Sequence, residues 1–162
     1  MAESNAVRTK QDGIITITNG VLTYIISKEA GDLNASIPGF NITAPLDRGR
    51  FTASPTIRRG DDQPMTGSFT AYLRDFPNAT DLTLMDVCMA LSGTAGAGAT
   101  STTSDSDVMT WTMTYTIDGT ALGDADQTAT YPNTFFTCSL AEGDPSVLTV
   151  NWTSYQPFPS FS

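Results

Sequence analysis

The chain has 162 residues, the size of one domain; 40% of its residues are hydrophobic and only 15% are charged. Such a chain is too apolar to be disordered and is long enough to bury about two-thirds of its unfolded surface in one core. It contains no histidine, which removes the commonest general base, the usual metal ligand and every Ser-His triad. No phosphate-binding loop or zinc-spaced cysteine pair occurs. We therefore expect no enzymatic activity, no catalytic residues, no metal and no other cofactor.

Charge is distributed unevenly along the chain, whose formal net charge is −9. All eight Lys and Arg residues lie within the first 74 positions, whereas the remainder contains ten acidic residues and no basic one. Such asymmetry indicates electrostatic partnering within a subunit or between copies, or alternatively an acidic solvated face. Tight nucleic-acid binding is not expected, because affinity for phosphates depends on clustered Lys and Arg.

The two cysteines, Cys88 and Cys138, are each flanked by apolar residues. This setting favours buried free thiols over a disulfide. The N-terminal stretch lacks the apolar segment of a signal sequence, and no apolar run approaches the roughly 18 residues of a membrane span. We expect synthesis and folding in a cytoplasm and no membrane partner.

The first predicted element is a hairpin. β-Branched runs at 14–18 and 21–27 flank Asn19-Gly20, a dipeptide typical of tight turns. Residues 1–12 before this hairpin are expected to form an N-terminal arm.

The next segment, 31–50, is rich in Gly and Pro and is predicted to be a long loop with a short strand at 40–42. A second hairpin is then predicted, with strands at 51–59 and 65–74 on either side of a turn at 60–64. The second of these strands alternates non-polar residues, among them one glycine, with polar ones, which indicates one buried face.

One segment has helical periodicity, and we predict a helix over about 81–92. N-cap candidates at 78–81 precede the apolar stripe, and Gly93 supplies a stop signal. We expect the stripe to pack on the β-structure. Its residues are Leu84, Val87, Cys88 and Leu91.

The C-terminal half is predicted to be rich in strands. Residues 94–107 are predicted to be a flexible loop of Gly, Ala, Ser and Thr. Val108–Ile117 alternates large apolar residues with threonine, which predicts a strand with a core face and a threonine face. Further strands are predicted at 127–131, 134–140 and 148–155, followed by an extended tail at 156–162. The chain is therefore predicted to be a single, mainly β domain over 1–162, an antiparallel β-sandwich or barrel with one flanking α-helix and long loops.

Three acidic pairs, at 61–62, 105–107 and 124–126, are candidates for acid–base chemistry or calcium binding. None has the glycine and the later glutamate of a calcium loop. We interpret them as solvated loop carboxylates.

The order of features from Phe51 to Leu91 resembles the tail tube, or major tail, proteins of siphoviruses. Those chains commonly show a long strand, a turn rich in charge and Gly or Pro, a strand similar to 66–74 and a helix similar to 81–91. The segment from Phe136 to Trp152 is similar to the closing strands of that family. The resemblance covers roughly residues 10 to 155.

The resemblance implies a structural virion protein in which six copies join their strands into a hexameric ring with a continuous inner β-barrel. The rings would stack into a tail tube through which DNA passes during ejection. Implied partners are further copies of the chain and tail proteins such as tip and terminator, and the implied location is the virion tail after synthesis in the host cytoplasm. The type VI secretion tube shares this architecture, but nothing in the sequence links the chain to effector export. An excess of acidic residues suits a conduit that repels DNA.

The alternative interpretation is a monomeric or trimeric β-sandwich that serves as a virion decoration protein or a carbohydrate-binding module. Four aromatic residues are candidates for stacking on sugars: Trp111, Trp152, Tyr115 and Tyr155. For Trp111, alternation with two methionines favours a core position.

The segment from Asp47 to Gln63 is predicted to mediate contact between rings. It holds half of the basic residues at the ends of two strands and in a turn, where guanidinium groups can fork onto carboxylates of a neighbouring copy. The alternative is that these arginines pair with acids of their own subunit. The predicted contact residues are Asp47, Arg48, Arg50, Arg58, Arg59, Asp61 and Asp62.

Overall fold

The computed structural model describes residues 13–26, 32–43, 58–77, 81–89, 110–120, 123–156 and 158–162. These residues form ten strands and one helix, α1 (Leu84–Met89). The strands are β1 (Gly13–Thr18), β2 (Thr23–Ile26), β3 (Asn34–Ser36), β4 (Phe40–Thr43), β5 (Arg58–Asp62), β6 (Met65–Tyr72), β7 (Trp111–Ile117), β8 (Gln127–Ala141), β9 (Val147–Ser154) and β10 (Ser160–Phe161).

Eight strands form one antiparallel sheet in the order β2-β1-β7-β8-β9-β6-β3, with β10 also paired to β8. Strands β4 and β5 form a separate two-stranded sheet, called the ribbon below. The protein is therefore mainly β with one short helix, and the predicted fold class is confirmed.

The long strand β8 belongs to both halves of the large sheet. Up to Thr134 it pairs with β7, and from Thr134 onward it pairs with β9. Between these halves, Pro132 and Asn133 oppose the single residue Thr112, and Asn133 has a positive φ of 50°. This bulge bends the strand and shifts the buried positions by one residue. Two strands were predicted here, at 127–131 and 134–140, because Pro and Asn are typical of turns; the chain instead continues as one strand through a bulge.

The core lies between the two halves of the folded sheet. Its largest fully buried apolar side chains come from five strands and from α1: Ile17, Met65, Phe69, Val87, Met113, Phe136, Leu148, Val150 and Trp152. Tyr131, on the first half of β8, packs against Trp152 on β9, with ring centroids 5.0 Å apart and a tilt of 56°. Aromatic pairs of this kind contribute about 0.5–1.5 kcal/mol beyond the area they bury, so this contact helps to hold the halves together.

The first hairpin is confirmed, whereas the second is wrong. Strands β1 and β2 pair, and in the loop between them Gly20 has a φ of 91° and the Asn19 side-chain oxygen accepts hydrogen bonds from the backbone of Val21 and Leu22. By contrast, β5 pairs with β4 and not with β6. Next to the predicted turn both edges of β6 are occupied, because β9 pairs with Met65–Tyr72 and β3 pairs with Thr66–Ser68, so β5 has no place there.

The short strand predicted at 40–42 is present as β4, and two further strands were not predicted. The segment 31–50, predicted to be a loop, contains β3 as well as β4, and β3 pairs with β6. The predicted tail, 156–162, contains β10, which pairs with Ala129 and Thr130 of β8. In both cases the stabilising hydrogen bonds come from a strand that is distant in sequence, which local composition does not reveal.

Helix α1 begins at a reciprocal cap. The Thr83 hydroxyl accepts a hydrogen bond from the Asp86 backbone N–H at 3.3 Å, and the Asp86 carboxylate accepts one from the Thr83 N–H at 2.9 Å. The same carboxylate lies in the first turn, where it also offsets the positive end of the helix dipole. The cap was predicted at 78–81, but Thr83 provides it, because a hydroxyl and a carboxylate three residues apart satisfy each other's backbone donors.

Candidate assembly surfaces

The large sheet carries no formal charge in its strands. None of the residues in its eight described strands is Asp, Glu, Lys or Arg. Among the described residues, charged side chains are confined to the ribbon, the loops and α1. A solitary domain usually interleaves charges over its strands for solubility, so this sheet has the composition of a surface that other subunits cover.

The outward side of β8, β9 and β6 is lined mainly by small polar side chains, and we call it the hydroxyl face. Its central rows follow the register of the three strands. The rows are Ser68–Asn151–Thr137 and Thr70–Thr149–Ser139. Below them, Thr66 and Thr153 share a row with Phe135. Hydroxyl and amide groups can hydrogen-bond water or a neighbouring backbone without the desolvation cost of a charge.

The other half of the sheet has a similar outward surface. Thr16, Thr114 and Thr130 lie in register across β1, β7 and β8. The Thr116 and Thr128 hydroxyls lie 3.1 Å apart, within hydrogen-bond distance. The threonine face predicted for 108–117 is therefore present, and it extends onto the neighbouring strands.

The half-sheet β3-β6-β9-β8 has open strand edges on both of its sides within the described part of the chain. Strand β3 pairs only with β6, and its three residues are all exposed. From Phe135 to Ala141, strand β8 pairs only with β9. Natural monomers guard such edges with Lys, Pro or inward-pointing charge, and neither stretch contains any of these. The half-sheet β3-β6-β9-β8 thus has an unguarded edge at each side.

The ribbon concentrates the charge that the large sheet lacks. Within it, Arg59 and Asp62 form an ion pair inside the subunit, and their side chains are 57% and 44% exposed. Asp61 is exposed beside them, and Arg58 lies in β5 opposite Thr43. The other predicted contact residues, Asp47, Arg48 and Arg50, lie outside the described residues.

The helical stripe is placed against the sheet. Leu84 is 3% exposed and Val87 is fully buried, Cys88 is half-buried, and α1 packs on β8. Leu91 lies outside the described residues. Leu84 also lines a cleft with Tyr24, where burial raises the pKa of the tyrosine and the nearby Arg74 guanidinium partly offsets that rise.

The candidate sugar-stacking residues are mostly inaccessible. Trp111 and Trp152 are 2% and 1% exposed, so neither offers a ring face to a ligand. Tyr115 is half-buried, and its ring lies over Gly13, in the space that a side chain at that position would occupy. Tyr155 is exposed, in an edge-to-face contact with Phe135.

The acidic pair at 124–126 shapes a turn. The Asp126 carboxylate accepts a hydrogen bond from the Gly119 N–H at 2.9 Å. Among the described residues, no group of three His, Cys, Asp or Glu side chains is arranged to hold a metal ion. The described part of the chain also lacks a helix with the length and apolar character to cross a membrane.

Known proteins resemble the chain in structure only. No family model and no curated protein matches its sequence. A chain in the cryo-EM structure of the PVC sheath-tube complex of an extracellular contractile injection system, in the extended state, is similar with a TM-score of 0.58 and 12% identity, over 98% of this chain and 93% of that one. A chain in the cryo-EM structure of the tube-terminating cap of the anti-feeding prophage is similar with a TM-score of 0.56 and 13% identity, over 100% of this chain and 94% of that one.

A third similar structure comes from the baseplate of the anti-feeding prophage, symmetrised six-fold, with a TM-score of 0.56 and 6% identity over 100% of this chain and 97% of that one. Each match spans nearly the whole of both chains, so the protein shares the fold of these chains, which come from structures of a sheath-tube complex, a tube-terminating cap and a baseplate. These structures belong to contractile systems, and the predicted siphovirus family itself stays a prediction.

Proposed function

We propose that the protein is a non-enzymatic structural subunit whose copies form rings that stack into the tube of a tail. The observation that carries this proposal is the half-sheet β3-β6-β9-β8, which is uncharged and unguarded at both edges. The likeness of the entire fold to structures of a sheath-tube complex, a baseplate and a tube-terminating cap supports the same class of assembly.

Ring formation follows from the two open edges. The β3 edge of one copy can hydrogen-bond to the 135–141 edge of β8 in the next copy, as in strand addition. The two edges differ, so the contact is head-to-tail, and a head-to-tail contact generates a ring when its rotation closes. With six copies, as the family resemblance implies, four strands from each would form one continuous inner barrel.

In such a barrel the hydroxyl face lines the lumen, because the opposite side of the same half-sheet is the core of the subunit. Lys and Arg side chains would hold the phosphate backbone of passing DNA, because such contacts release the counterions of the phosphates. The strands that form the hydroxyl face contain no Lys or Arg. We propose that DNA passes through this lumen during ejection without being bound.

Stacking of the rings is assigned to the ribbon and to the segment 47–63 that includes β5. The exposed charges of the ribbon can reach carboxylates of a neighbouring copy, and the contact would be repeated around each ring. A single exposed pair contributes only about 0–1 kcal/mol, but repetition makes the sum large. Partners at the two ends of the tube would be tip and terminator proteins.

The test is the state of the purified full-length chain. Size-exclusion chromatography and negative-stain microscopy are expected to show rings of six copies or hollow tubes, and cryo-EM should place Ser68, Thr137 and Asn151 on the lumen wall. A monomer or trimer at all concentrations would overturn the proposal. If that species bound a glycan array, the carbohydrate-binding alternative would replace it.

A further inference from the structure

The two cysteines of the chain meet in the folded structure, although 50 positions separate them in sequence. Cys138 lies on β8, two residues after the buried Phe136, and Cys88 lies on α1, beside the buried Val87. Helix α1 packs on β8, both cysteines pack against the core, and Cys138 lies close enough to Cys88 to contribute to the raised pKa of its thiol. Both are free thiols and both are half-buried, so small molecules have partial access to them.

We propose that Cys88 and Cys138 are a modification site that closes to an intramolecular disulfide when the protein meets a small oxidising disulfide. A thiolate of the pair attacks oxidised glutathione, which forms a mixed disulfide and releases one reduced glutathione. The second thiol of the pair then displaces the other glutathione. Overall, two protein thiols lose two electrons and two protons, and one oxidised glutathione becomes two reduced ones.

The geometry limits the reaction to this pair. The chain has no other cysteine, so every intramolecular disulfide must join these two residues. Because the two cysteines are neighbours where α1 packs on β8, closure is expected to proceed mainly by side-chain rotation. The product would tie α1 to β8 by a covalent bond.

The buried environment of Cys88 also makes formation of the disulfide slow near neutral pH. Burial, and secondarily the adjacent Cys138, raise the pKa of the Cys88 thiol. The thiolate is the attacking species, so fewer molecules react at neutral pH than in alkaline solution. A thiol with a raised pKa is also a poor leaving group, which slows reduction of the finished disulfide. The pair is therefore expected to stay reduced in a reducing cytoplasm and to close after release.

The experiment uses the purified full-length chain with oxidised glutathione at pH 8.5. The intact mass should fall by about 2 Da, the mass of two hydrogens, and a non-reducing peptide map should link Cys88 to Cys138. The midpoint of thermal unfolding should rise by about 5–15 °C, because the cross-link closes a long loop of the unfolded chain, and dithiothreitol should reverse the rise. The matched controls are Cys88→Ser and Cys138→Ser, which should show neither change.

Three outcomes would overturn the proposal. One is disulfide-linked dimers on a non-reducing gel, which would mean that the thiols meet between copies. Another is a stable single glutathione adduct, which would mean that the second thiol cannot reach the first. The last is two thiols that remain alkylatable after denaturation of the oxidised sample. The measurement concerns one subunit, so its result is independent of whether the chain forms tubes.

Discussion

The indole ring of Trp152 occupies the space above Gly67, its partner on the neighbouring strand. A Cβ atom added to Gly67 would stand 2.5 Å from Cζ2 of Trp152 and 2.0 Å from the backbone oxygen of Asn34. The glycine thus admits the largest core side chain and also allows β3 to lie close to β6. Gly67 lies on the inward face of β6, the face that also carries the buried residues Met65, Phe69 and Ala71.

Gly67→Ala is therefore expected to destabilise the fold by at least about 1–3 kcal/mol, the usual cost of overpacking. Rotation of Trp152 cannot relieve the clash, because Asn34 contributes a main-chain atom. Urea unfolding followed by tryptophan fluorescence measures the change. The control is Ser68→Ala on the outward side, for which a loss within about 0.5 kcal/mol is expected. Equal stability of the two variants would contradict this account of Gly67.

Leu84→Ala is expected to cost about 2–5 kcal/mol, because the side chain is 3% exposed and its removal leaves a cavity. Met89→Ala is the control, since Met89 lies on the same helix and is 37% exposed. Chemical denaturation of both variants gives the two losses. A loss below about 0.5 kcal/mol for Leu84→Ala, the level of surface sites, would show that α1 does not seal the core.

The proposed joint between copies predicts that Ala35→Lys abolishes ring formation. Ala35 is an exposed residue of β3, and a lysine on an edge strand prevents further pairing. Thr23→Lys is the matched control, because Thr23 is exposed on the edge strand β2, outside the proposed joint. Circular dichroism should show both variants folded, and microscopy should show rings only for the control. Rings from Ala35→Lys would exclude β3 from the joint.

Charge reversal in the ribbon distinguishes a contact with the next ring from an ion pair that serves only its own subunit. Arg59→Asp combined with Asp62→Arg keeps an ion pair within the subunit but reverses the charge at each position. If these residues contact the next ring, the variant should form single rings and fail to form tubes. Arg74→Asp with Asp75→Arg makes the same exchange away from the ribbon and should leave tubes intact. Full-length tubes from the ribbon variant would mean that Arg59 and Asp62 serve only their own subunit.

Alkaline pH should weaken the fold. Burial raises the pKa of Cys88 above its ordinary value of 9.0, and it raises those of Tyr24 and Tyr131 above 10.0. A raised folded-state pKa favours the protonated form, so the stability is fully present below the unfolded-state value and is lost as pH rises past it. Thermal unfolding of the reduced protein should be level from pH 7 to 8.5 and should decline above pH 9. Cys88→Ser should begin its decline later, near pH 10; an identical decline would remove Cys88 as a cause.

Local patterns in the sequence predicted the elements whose stabilising interactions are also local. Asn19-Gly20 marks the first hairpin, and the alternation around Trp111 marks β7 with its threonine face. Pairing between distant segments has no such signal. Strand β3, whose residues are all exposed, is placed beside β6 by backbone pairing with a distant segment, and its occupation of that edge is why the pairing of β5 was predicted wrongly.

For the candidate surfaces, the composition of the sequence was informative, but the order of residues along the chain did not show which side chains lie together. The low charge of the chain suggested surfaces covered by other copies, yet only the register of β6, β8 and β9 shows that Ser68, Thr137 and Asn151 share one row. The contact between Cys88 and Cys138 was likewise invisible, because it depends on how α1 packs on β8. The apolar residues next to each cysteine in the sequence indicated that the thiols are buried, but they did not indicate the distance between the two thiols.

The separation of charge between the ribbon and the large sheet also sets the order in which an assembled tube would come apart. In 1 M salt the Debye length is about 3 Å, so attraction between exposed ribbon charges would be largely screened. Edge-to-edge strand pairing relies on main-chain hydrogen bonds and uncharged side chains, which ions do not screen in this way. A tube dismantled by salt would therefore shorten by shedding whole rings, and each shed ring would remain closed.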